Sequence, residues 1–259
     1  MIGEAFRGGI FHFLSDPKDG LTGCYEFFED GLLVVENGRI AQLGDAEPLV
    51  GELDASVRIH EYAGKIICPG FVDTHVHYPQ LAIIASYGES LLDWLECYAF
   101  DEEKKFDDAD HSLTTANHFL DELLRCGTTT AQVFGTVHPE SVEGFFTAAE
   151  QRDLRMICGK VLMDRNGPLG LLDTPETSYI DSKNLIERWH GRGRLRYAVS
   201  PRFAPTSTPD QLATACQLLR EYPGTHLQTH LSEDKEEINW VKSLFPSCKN
   251  YLDVYKRAG

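Results

Sequence analysis

The chain opens on short strand-like patterns and then changes character. Residues 31–36 (GLLVVE) form an apolar run that stops at Asn37-Gly38, and residues 39–43 (RIAQL) follow at once. Two such runs around an Asn-Gly pair predict a β-hairpin, because both turn residues tolerate positive φ. Another strand is expected over residues 57–62. From Lys65 the reading shifts: KIIC, a Pro-Gly pair and Phe71-Val72-Asp73 read as a buried strand with a bend, and a helical stretch begins near Leu91 (LLDWLECY). Across residues 109–126, apolar side chains recur at Leu113, Ala116, Leu120, Leu123 and Leu124, which is the spacing of one helical face.

Strands and helices then alternate. Strands are expected over residues 128–134, 155–163, 195–200 and 225–230. Helices are expected over residues 139–151, 176–189, from Thr208 to Glu221, and over 233–244, with a last one starting near Tyr251. Thr208-Pro209-Asp210-Gln211 reads as a capping box with proline in the first turn. Such alternation predicts an α/β fold with a parallel sheet of βαβ units. Five units follow Lys65, whereas a (β/α)8 barrel has eight over about 250 residues. Two architectures fit: an open five-stranded sheet, or a barrel cut after about five units. The motifs below favour the barrel. The expected division is residues 1–64, part of a small β-sandwich domain, and residues 65–259, an incomplete barrel carrying the site.

Composition narrows the partners. The 259 residues are 42% hydrophobic and 25% charged, with a formal net charge of −16. An acidic chain without a Lys/Arg run repels phosphate backbones and anionic membranes, so neither nucleic acid nor membrane is an expected partner. The seven cysteines lie too far apart for a C-x-x-C pair, which suits a reducing cytoplasm. Residues 1–16 carry no apolar core of signal-peptide length.

Four patterns carry chemistry. In Phe71-Val72-Asp73-Thr74-His75-Val76-His77, two histidines two apart on a strand share one face. A bare H-x-H is common among packed or solvated histidines, but at a strand end after Pro-Gly-Phe-Val-Asp it faces the mouth of a barrel, where zinc sites are built. In Gln228-Thr229-His230-Leu231-Ser232-Glu233, His230 completes a three-histidine set. Glu233 is placed for acid/base work, or simply to favour a helix start. In Ser200-Pro201-Arg202-Phe203-Ala204-Pro205, Arg202 offers fixed donors and Phe203 an apolar face for a planar base. In Tyr78-Pro79-Gln80, the Gln80 amide both donates and accepts. The carboxylates between Asp93 and Ala109 (Asp101, Glu102, Glu103, Asp107, Asp108) read as a solvated face.

With PGFVDTHVHYPQ (69–80), SPRFAPTS (200–207) and THLSED (229–234), together with LLDWL, GTTTAQVFGTVHP and KVLMDRN, the chain resembles the guanine deaminases of the amidohydrolase superfamily along nearly its whole length. That resemblance implies one Zn2+ per subunit on His75, His77 and His230. It implies that Gln80, Arg202 and Phe203 hold guanine, with His77 and His230 beside it, while Glu233 shuttles protons. A zinc-activated water would attack C2 of guanine and release xanthine and ammonia. It further implies a homodimer, and that the chain is the N-terminal part of the family's length. A later histidine and aspartate of the site would then lie past Gly259, and the isolated chain is expected to be unstable or inactive. The alternatives are another nucleobase deaminase and a catalytically inactive chain with a binding role. A two-metal cyclic amidase fits less well, because AVSPRFAP lacks the bridging lysine those enzymes use.

Overall fold

A computed structural model describes residues 3–18, 20 and 22–259. The chain divides into two compact units, Met1–Gly70 and Phe71–Gly259.

Among its described residues, the smaller unit is one four-stranded sheet with one helix. Its strands are β1 (Glu4–Phe13), β2 (Tyr25–Glu36), β3 (Arg39–Asp45) and β4 (Arg58–Ile67), in the order β3-β2-β1-β4. The hairpin between β2 and β3 turns on Asn37 (φ 53°) and Gly38 (φ 73°), the pair of positive angles that the Asn-Gly dipeptide predicts. Helix α1 (Ala46–Glu52) lies over the apolar face formed by Ala5, Leu32 and Val34. Sequence patterning misses α1 because Pro48 and Gly51 read as breakers, yet a proline in the first turn gives up an N–H that has no helical acceptor there. It misses β1 because Arg7 and two glycines interrupt its alternation. Residues 65–67, expected as the start of a buried strand, instead finish β4 beside β1, and Ile66 is exposed. The strand ends before Pro69, which has no N–H to donate to a ladder.

The larger unit alternates strand and helix. After β5 (Phe71–His77) come the short α2 (Leu91–Trp94) and α3 (Phe100–Glu103), then α4 (Ala109–Arg125), β6 (Thr128–Phe134), α5 (Pro139–Gln151) and β7 (Arg155–Gly159). A two-residue β8 (Val161–Leu162), α6 (Pro175–Trp189), β9 (Arg196–Pro201), α7 (Pro209–Glu221), β10 (His226–Leu227), α8 (Lys235–Leu244) and α9 (Tyr251–Ala258) follow. The sheet runs β10-β9-β7-β6-β5, all parallel, with the short β8 also pairing β9, so that apart from β8 the strands follow one another in sequence order around a half-barrel. Its core, including Val133, Phe145, Met156, Tyr197 and Leu218, lies between the strands and the helices.

Three details differ from the expected elements. The strand expected over residues 155–163 breaks at Lys160, whose backbone N–H goes to the Tyr197 hydroxyl at 3.2 Å and not to the ladder. Just before it, a Cβ on Gly159 would lie 1.6 Å from the Ala198 carbonyl oxygen, so only glycine lets β7 approach β9 there. Strand β10 is shorter than expected because the chain peels off after Leu227, although Gln228 and His230 still donate to β9 and the residue following it. Finally, β5 is an edge strand, which leaves Phe71 and Val72 exposed where a buried strand was expected.

Among the described residues, no helix is long and apolar enough to cross a membrane.

Candidate functional site

The carboxyl ends of the parallel strands bring the expected residues together. His75, His77, Gln80, Arg202, Phe203, His230 and Glu233 all line one cavity of about 220 Å³, with Leu91, Trp94 and Leu95. His75 and His77 come from the end of β5, and Gln80 from the 3-10 turn Tyr78–Ile83 that follows. Arg202 and Phe203 come just after β9; His230 and Glu233 follow β10.

One nitrogen from each of the three histidines lies within 4.8 Å of the others. Their imidazoles rest on Phe134, the last residue of β6, which is fully buried and stacks on His77 at 4.5 Å and 5°. Parallel register pairs Phe134 with His77. Nothing in the residue type marked Phe134 in advance; only that register places it as the floor.

Hydrogen bonds set the tautomer of His230. Its Nδ1 lies 2.7 Å from the Arg202 carbonyl oxygen, which only accepts, so Nδ1 carries the proton and Nε2 keeps a lone pair. That Nε2 faces the Nε2 of His77 at 2.9 Å, while the buried Nδ1 of His77 has no hydrogen-bond partner. Burial lowers His230 to a pKa of about 4, the Arg202 and His75 charges adding to the effect against the carbonyl bond. Burial, with His230 and Arg202 next, pulls His77 well below its usual value. His77 and His230 are therefore neutral near pH 7, as metal ligation requires. Three convergent imidazoles, one locked by an outer hydrogen bond, fit a divalent transition metal.

Glu233 stands in the loop ahead of α8 and does not start the helix. The cap is Asp234, whose carboxylate accepts from the N–H groups of Glu236 and Glu237. The buried Glu237 carboxylate in turn accepts the N–H groups of Glu233 and Asp234 at 2.8 and 3.1 Å. The Glu233 side chain thus has no capping duty and lines the cavity. Partial burial raises its pKa, with Glu237 adding to the shift. Ser232, just before it, sits at φ 60°, an uncommon conformation for a residue with a Cβ.

The substrate-binding candidates share a partner that patterning misassigned. Glu103 was read as part of a solvated acidic face, but it is 1% exposed and Glu102 is 8% exposed. The Glu103 carboxylate takes both terminal nitrogens of Arg202, at 2.5 and 3.1 Å, and the Gln80 amide nitrogen at 3.1 Å. Its position was legible in principle: Leu95, Ala99 and Glu103 are four apart and share one helical face. Arg202 itself is 3% exposed and stacks over Phe100. Two further groups brace the site from behind. Arg165 and Asn166 donate to the carbonyls of Ala204 and Pro205, and the Tyr255 hydroxyl donates to the His230 carbonyl at 3.0 Å.

Known proteins resemble this arrangement. Residues 66–259 match the amidohydrolase family. The guanine deaminase of Escherichia coli (strain K12) is 50% identical over 99% of the chain, which covers 59% of that protein. The solved structure of the E. coli guanine deaminase superposes with a TM-score of 0.94 at 49% identity, over 99% of this chain and 60% of that one. A crystal structure of guanine deaminase from C. acetobutylicum, with guanine bound in its active site, gives 0.87 at 28% identity, over 99% of this chain and 59% of that one. The chain thus spans about three fifths of the length of these relatives.

Proposed function

The chain belongs to the amidohydrolase family, and from that premise we propose that it binds one zinc ion on His75, His77 and His230 and hydrolyses guanine to xanthine and ammonia. The observation that carries this reading is convergence: a three-histidine donor set, a carboxyl of raised pKa and an Arg-Gln-Phe trio from three separate segments line one cavity. Similarity to proteins named guanine deaminases supports the choice of base.

A zinc ion at the three imidazoles supplies Lewis-acid activation of the attacking water. Everything else falls to the chain. Arg202 and Gln80 hold the polar edge of the base, with His77 and His230 beside it, and Phe203 covers its face. Glu233 takes a proton from the water that adds to C2 and returns it to a ring nitrogen; it then carries the remaining hydroxyl proton to the amino group, so that the C2–N bond breaks, ammonia leaves and the C2 carbonyl forms. A carboxyl with a raised pKa suits both halves of that transfer. The Arg202 carbonyl holds the His230 ring in the tautomer that offers Nε2. The scattered thiols, with no disulfide among the described residues, suit a reducing compartment, and we place the reaction in the cytoplasm.

The test is ammonia and xanthine release from guanine by the zinc-loaded chain. Glu233→Ala is expected to slow it by roughly 100-fold or more, the usual worth of a general acid/base, while leaving zinc content unchanged. Turnover that survives the substitution, or faster turnover of another nucleobase, sinks the assignment.

A further inference from the structure

Arg202 is a buried cation at the wall of the cavity, and such a group by itself recruits anions. Here its charge is already matched. Glu103 takes both terminal nitrogens, so the guanidinium and carboxylate together present no net charge to the cavity. The same carboxylate fixes a second group. An ionised carboxylate only accepts, so Gln80 must turn its NH2 toward Glu103, which leaves the amide oxygen as the acceptor it offers elsewhere. Arg202 keeps N–H groups that Glu103 does not use. An acceptor from Gln80 beside donors from Arg202 complements a ring N–H next to a carbonyl, the lactam edge of an oxopurine.

We propose that Glu103 is the specificity-determining positioning residue of this site: it neutralises Arg202 and orients Gln80, so that the cavity takes a neutral lactam-edged base and disfavours anionic ones. The proposal rests on the reading of the cavity as a guanine site and adds to it a reason for product release. Xanthine, with a second ring carbonyl, loses a ring proton far more readily than guanine, and its anion meets no uncompensated positive charge at Arg202; the charge of a bound zinc ion is the same in the wild type and in Glu103 variants, so comparing them isolates this pair. Glu103 touches no reacting atom; it acts through Arg202 and Gln80.

Glu103→Gln keeps the size of the side chain and removes its charge. In equilibrium titrations of the zinc-loaded chain carrying Glu233→Ala, which slows turnover, above neutral pH, it is expected to weaken guanine by about tenfold and to tighten xanthine by a similar factor, each about 1.4 kcal/mol. Glu103→Asp keeps the charge while shortening the reach. It is expected to weaken guanine yet preserve the wild-type preference for the neutral base. A common loss of affinity in Glu103→Gln, with the guanine-to-xanthine ratio unchanged, overturns the proposal and leaves Glu103 a packing role. A second measurement needs no ligand, so it separates failure here from failure of the guanine reading. The side-chain N–H signals of Arg202 should exchange slowly with water in the wild-type chain and quickly in Glu103→Gln. Fast exchange in the wild type overturns the pairing even if guanine binds, and slow exchange lost in Glu103→Gln supports it even if guanine does not.

Discussion

His230 donates its Nδ1–H to the Arg202 carbonyl, and the burial that makes this bond possible also holds the ring neutral, with a pKa of about 4. In the unfolded chain the same ring protonates near its ordinary value of about 6.5. Between these two values the unfolded state binds the extra proton, so His230 adds stability that is present above pH 6.5 or so and is lost as pH falls toward about 4. The size of this contribution is on the order of 3 kcal/mol. Urea unfolding of the metal-free chain at stepped pH should show the decline, and His230→Gln should flatten part of it; an unchanged slope argues against a buried neutral ring. The histidines themselves were legible in the sequence because H-x-H at a strand end needs only period-two geometry. Phe134 was not assigned in advance and Glu103 was read as solvated: no spacing rule puts a phenylalanine under a site, and the four-residue spacing that places Glu103 on a shared helical face does not say what its carboxylate pairs with. Their roles come from β5–β6 register and from the buried face of the helical stretch before α4.

Among the elements, α8 shows how local chemistry positions the loop that carries Glu233, the proposed proton carrier. Asp234 and Glu237 form a reciprocal capping box, and Glu237 also accepts the Glu233 N–H. Asp234→Ala is expected to cost ~1 kcal/mol of stability and to loosen the loop that presents Glu233. Thermal unfolding together with the pH profile of turnover checks this: a shift in unfolding temperature with an unaltered profile would mean that the cap does not position Glu233. Reading the helix as starting at Glu233 erred by two residues because THLSED offers two acidic residues in succession. Only the direction of the hydrogen bonds shows that Asp234 caps and Glu233 does not. The break between β7 and β8 was likewise hidden, because residues 156–163 are continuously apolar apart from Gly159 and Lys160. Lys160 is tolerated inside because its ammonium pairs with Asp173, a partner distant enough in sequence that no pattern announces it.

For the whole molecule, the three tryptophans at 94, 189 and 240 all lie in the larger unit, so their fluorescence reports that unit's unfolding alone. Zinc at a thousandfold excess over its Kd should stabilise this transition by about 4 kcal/mol, and His75→Ala should abolish most of the effect. Zinc stabilisation that survives this substitution would place the metal elsewhere. Alternating strand and helix patterns determined the α/β class and the five parallel units, because periods of 2 and 3.6 are properties of contiguous residues. The Asn-Gly hairpin, the H-x-H pair and the acidic composition that disfavours nucleic acid are local or additive in the same sense. Tertiary structure alone decided that β5 is an edge strand, that residues 65–67 complete β4, and that Glu103 reaches across 99 positions to Arg202. Such outcomes depend on which strands become neighbours and which helical face is covered. Burial then selects, among many similar carboxylates, the one whose charge the fold must pair.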